Sequence, residues 1–144
     1  MRRAAAKVTL DTNVYISAFQ FGGMRLLHRA IDGDIEIAVS EPILDEVIRV
    51  LRDKFQWEGY RLQDARQQIL ALARLVAPAQ TLDVVKEDEP DNRILECAVA
   101  AGSQFLVTAD RDLLRLGTYE GISILRPADF LKQEAESQGT PQGQ

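Results

Sequence analysis

The chain has 144 residues, one cysteine and a formal net charge of −5. That length suits one domain with a core that needs no disulfides, and the charge excludes a protein that coats nucleic acid with a broad basic surface. Of the 17 basic residues 13 are arginine, the type suited to bidentate phosphate contacts, but they are scattered and read as a solvated surface.

The opening "MRRAAAKVTL" is basic, but the apolar stretch it leads into is broken by Asp11 and Asn13, unlike a signal peptide. Nothing approaches the roughly 20 apolar residues of a membrane span. "KVTLD" reads as a strand. "NVYISAF" and "GMRLLHRAIDG" read as helical pieces parted by Gly22 and Gly23, and the lone His28 on the second reads as surface packing. "IEIAVS" alternates as a second strand. Ser40 offers an N-cap and Pro42 suits a first turn, and "ILDEVIRVLRDKF" carries Leu44, Val47, Ile48, Leu51 and Phe55 at helical spacing.

"YRLQDARQQILALARLV" reads as one further long helix, and "TLDVV" as a short strand. "KEDEPDN" is an acidic turn in which Glu87, Asp88 and Glu89 are solvated, and it leads into the helix "RILECAVAAG". Cys97 lies there among small apolar residues, the setting of a buried structural thiol in a reducing, cytoplasmic compartment. "QFLVTAD" is a strand, "RDLLRL" a short helix, "ISILRP" the last strand and "ADFLKQEA" the closing helix. Residues 1–135 form one domain, and 136–144 have the composition of a disordered tail. Strands separated by helices imply βαβ crossovers, and hence a three-layer α/β/α sandwich on a mainly parallel sheet.

In such sheets ligands lie outside the carboxyl ends of the strands. Asp11 ends the first strand, Glu46 lies early in the helix after the second, Asp91 opens the helix after the acidic turn, and Asp110 ends "QFLVTAD". Each has an ordinary structural reading: Asp11 and Asp110 as helix caps, Asp91 as a first-turn acid, Glu46 as a solvated helix residue. Glu46 sits about 200° from Leu44 on the helical wheel, away from the packing seam, so it faces solvent or a cleft. Convergence of the four favours a site over caps. Two charges about 5 Å apart repel by roughly 3 kcal/mol at an effective dielectric near 20, and a divalent cation removes that repulsion. Oxygen ligands without a histidine cluster point to magnesium or manganese. With no nucleophile–histidine pair, P-loop or dinucleotide fingerprint, metal-assisted hydrolysis of a phosphodiester is the chemistry left.

The segments "LDTNVYISA", "SEPILDEVIRVL", "EDEPDNRILECAVAAGSQFLVTADRDLL" and "GISILRPADFL" together resemble the PIN-domain family, in particular the VapC-type toxin ribonucleases of prokaryotic toxin–antitoxin systems. The resemblance implies that Asp11, Glu46, Asp91 and Asp110 are the metal-binding acids, with Asp112 an auxiliary acid. It implies that Thr12, Asn13, Asn92 and Thr108 orient carboxylates or a water. It further implies Mg²⁺- or Mn²⁺-dependent cleavage of single-stranded RNA by in-line attack of a water on phosphorus, a homodimer, and capture by an antitoxin protein. Phe19, Phe21, Met24 and Trp57 are candidates for a partner surface, with core packing the alternative for most of them. A housekeeping PIN-fold nuclease or RNA-binding module is the nearest rival reading. A receiver-type phospho-aspartate domain is more distant, since Asp11 has no acidic neighbour and Lys86 falls in the acidic turn.

Overall fold

The computed structural model describes residues 4–85 and 89–139. Its elements run β1 (Ala6–Leu10), α1 (Thr12–Phe21), α2 (Arg25–Ile31), β2 (Ile35–Val39), α3 (Glu41–Phe55), α4 (Gly59–Leu72), β3 (Ala73–Leu75), α5 (Glu89–Ala101), β4 (Phe105–Val107), α6 (Arg111–Leu114), β5 (Thr118–Tyr119), β6 (Ile122–Leu125) and α7 (Pro127–Gly139). The strands form one sheet in the order β3-β2-β1-β4-β6-β5, parallel except for the β5–β6 pair.

Val8, Thr9 and Leu10 are all fully buried, as a strand covered on both faces requires. Register shows what covers each face. Thr9 lies level with Ala38 and Leu106, and its hydroxyl meets Ser103 at 2.8 Å and approaches the Cys97 sulfur, so α5 packs on that side. Val8 lies level with Ile37 and Phe105, and Phe105 meets Phe130 of α7 with ring centroids 5.2 Å apart. Glu134 of α7 accepts from Arg29 of α2 at 3.1 Å, which brings α2 to the same side. The result is the three-layer α/β/α sandwich.

From β1 the chain steps through β2 to β3, then returns by α5 to place β4 on the other flank of β1. The strand order therefore reverses between β1 and β4, and their carboxyl ends open a crevice there. Glu46, on α3, borders it.

Three local readings change. The expected long helix stops at Leu72, and Ala73–Leu75 forms β3 by pairing with Ile37–Val39. "TLDVV" is not a strand. Side chains of α5 satisfy its backbone instead, with Leu82 N–H donating to Glu96, and Val84 and Val85 N–H to Asn92. The two-residue strand β5 was not expected; Glu120 and Gly121, both at positive φ, turn it into β6. Ser40 does occupy the N-cap position of α3, but its side chain makes no capping hydrogen bond. His28 is exposed, and Cys97 is buried, which pushes its thiol up to about 11. Lys86, Glu87 and Asp88 of the acidic turn lie outside the described residues; of the expected tail 136–144, residues 136–139 continue α7 instead, and 140–144 lie outside the described residues.

Candidate active site

Asp11 is the residue at which β1 becomes α1. Its N–H donates to the Val107 carbonyl at 2.9 Å, extending the β1–β4 ladder by one bond and fixing its place at the crevice. Its Oδ1 accepts from the Thr12 N–H at 2.6 Å, so it is the N-cap of α1. Its Oδ2 accepts from the Thr108 hydroxyl at 2.6 Å and the Asn13 amide at 3.0 Å. Asp11 thus caps α1 and also lines the cavity at the crevice, so the cap reading and a place at the cavity are compatible in one carboxylate. Burial raises its pKa above the usual 3.8 and the charge of Asp110 adds to this, while the bonds from Thr108, Thr12 and Asn13 oppose it.

Thr108 is fully buried and joins two acids. Its hydroxyl donates to Asp11 and accepts the Asp110 N–H at 2.9 Å. Asn13 makes a second tie across the crevice, its carbonyl oxygen accepting the Ala109 N–H at 3.4 Å. Asp110 caps α6, its Oδ1 accepting from the N–H groups of Asp112 and Leu113 at 2.8 and 3.3 Å. Asp91 lies in the first turn of α5 and is buried.

Asp91, Asp110 and Asp112 each offer a carboxylate oxygen, and these atoms lie within 4.8 Å of one another. Asp112 also pairs with Arg115 at 3.3 Å. Glu46 borders the same cavity, about 530 Å³ in volume, as Asp11, Thr12, Asp91 and Asp110. Arg49 holds its carboxylate through bonds of 2.6 and 3.2 Å. The four acids therefore surround one space, with Asp112 beside it.

Asn92 turns elsewhere. Its amide accepts from the N–H groups of Val84 and Val85 and donates to the Val85 carbonyl at 3.0 Å, clamping the segment before α5 rather than a carboxylate. Glu96, which sequence reasoning passed over, is buried and accepts from Leu82 N–H and from Arg93, each at 2.7 Å. The spacing of Arg93 and Glu96 on one helix was the available signal. Three carboxylates with converging oxygens, and no imidazole or thiol among them, form a donor set that fits a hard divalent cation.

The model of the PIN domain family matches residues 7–112 of this chain. A solved chain from "VapBC2 from Rickettsia felis bound to a DNA fragment from their promoter" superposes with a TM-score of 0.56, covering 82% of this chain and 96% of that one at 15% identity, a likeness of fold. No curated protein sequence matches.

Proposed function

This chain belongs to the PIN domain family, and from that premise we propose that it is an Mg²⁺- or Mn²⁺-dependent endoribonuclease of single-stranded RNA, the toxin of a toxin–antitoxin pair. The observation that carries the reading is the gathering of Asp11, Glu46, Asp91 and Asp110 on one cavity at the β1–β4 reversal of the sheet. Family membership sets aside the receiver-type reading.

Asp91, Asp110 and Asp112 would hold the cation, with Asp11 and Glu46 completing the acidic wall. Bound there, a divalent ion supplies a Lewis acid that lowers the pKa of water and offsets the charge of a phosphodiester. The chain supplies the positioning. Thr108 and Asn13 hold the end of β1 against the turn after β4, so Asp11 and Asp110 keep a fixed separation when a substrate enters. The Thr12 N–H holds Oδ1 of Asp11, leaving that carboxylate little freedom to rotate. Arg49 orients Glu46 from the solvent side.

The likeness to a chain of VapBC2 supports an antitoxin partner; a homodimer acting in the cytoplasm belongs to the same proposal. No helix among the described residues is long and apolar enough to cross a membrane.

The decisive test is cleavage of single-stranded RNA with and without Mg²⁺ or Mn²⁺, with cut positions mapped, beside Asp11→Asn. Metal-dependent cutting by the wild type, and loss of at least about 100-fold in the variant, is the expected result. Equal cutting by a well-purified variant would sink the reading. Growth arrest on expression, relieved by a neighbouring short reading frame, separates a toxin from a housekeeping nuclease.

A further inference from the structure

The cavity that holds the acids continues to the far ends of α1 and α3, where each helix finishes on a phenylalanine, Phe21 and Phe55. Their rings meet nearly perpendicular, with centroids 5.6 Å apart and an interplanar angle of 87°. Phe21 is 70% exposed, although its neighbours in the aromatic group are covered: Trp57 is buried, and Phe19 and Met24 pack against the core. A ring left this open at the rim of an acidic site serves folding little. Among the described residues, the one cation lining the cavity is Lys54, beside Phe55 and exposed.

An RNA strand approaching this cavity is repelled by its carboxylates, and a single lysine offsets little of that. Stacking on an aromatic face does not depend on net charge and tolerates any base. We propose that Phe21, braced by Phe55 and flanked by Lys54, is a subsite on which a base of the single-stranded RNA stacks, with Lys54 on the adjoining phosphate. This deepens the nuclease reading and rests on it. Phe21 lies nine residues along α1 from Thr12, ~14 Å at 1.5 Å per residue, so the stacked base stands a few nucleotides from the scissile bond.

The test places a reporter at the subsite. In an Asp11→Asn background that leaves RNA intact, Phe21→Trp is titrated in EDTA with a ten-nucleotide single-stranded RNA of mixed sequence. The same chain with Phe21 retained is the control for Trp57 emission. Saturable quenching of the new tryptophan by the RNA, and none by an abasic oligonucleotide or inorganic phosphate, is expected. In the active protein, Phe21→Ala should raise KM about tenfold with kcat within about twofold, and Phe21→Trp should restore KM. A wild type that cuts RNA while the tryptophan stays silent, or while Phe21→Ala leaves KM unchanged, overturns the subsite and leaves the nuclease standing. Quenching by RNA in a chain that never cuts supports the subsite and removes the nuclease. Quenching by an amphipathic helical peptide but not by RNA overturns the proposal in favour of a protein partner.

Discussion

Asp11 has hydrogen-bond donors on both oxygens, and burial still raises its pKa. The folded-state value exceeds the ordinary 3.8. In the window above 3.8 the folded chain therefore binds more protons than the unfolded one, and stability falls as pH rises through it. Without divalent ions, the Tm of Asp11→Asn relative to the wild type should rise as the pH is raised from about 4 towards about 7, whatever offset the lost acceptor on Oδ2 imposes. Thermal melts across that range check it, and a Tm difference that stays flat or moves the other way with pH counts against it. At this scale the sequence was informative about which acids line the cavity, because chain position at strand ends predicts the crevice. It was silent on direction. Adjacent helix residues point about 100° apart, so Asp91 and Asn92 serve different sides of α5, and nothing in the dipeptide says which faces the site.

On the scale of elements, α5 is held by what it gives to the segment before it. Asn92 satisfies three backbone groups of Val84 and Val85, and Glu96 a fourth at Leu82. Asn92→Ala leaves buried partners unmet at about 1–3 kcal/mol for a group left unsatisfied, and should destabilise by about 2–4 kcal/mol in denaturant titration. Because Asp91 shares the first turn of α5, cleavage should fall as well, with the larger effect in kcat. The same bonds show why "TLDVV" misleads: its β-branched residues suit a strand, but partners 7 to 14 residues away claim its N–H groups first. β3 errs in the other direction. "ALARL" favours a helix locally, and only the open edge of β2 makes three of those residues a strand. The β5–β6 hairpin went unread, although Glu120-Gly121 between "TY" and "ISI" could have served as a two-residue turn signal.

At the scale of the whole molecule, the site concentrates negative charge in a chain whose net charge is already −5. Divalent cations should therefore stabilise it by mass action, about 2.7 kcal/mol at a hundred times the dissociation constant. That corresponds to a Tm rise on the order of 5–10 °C for a chain of this size. Melts with EDTA, Mg²⁺ and Mn²⁺ measure it, and Asp110→Asn should remove most of the rise. An equal rise in that variant would move the cation elsewhere. The overall architecture was readable because alternating strands and helices leave few topologies. The order of strands about β1 was not, because it depends on where a crossover lands.

That order leaves β3 and β5 as the outermost strands, three and two residues long. Edges this short give an incoming strand almost no ladder to extend. Among the described residues the sheet therefore offers a second copy little to extend; should the proposed homodimer form, helix surfaces are its expected contact, and cross-links between copies should map to helices.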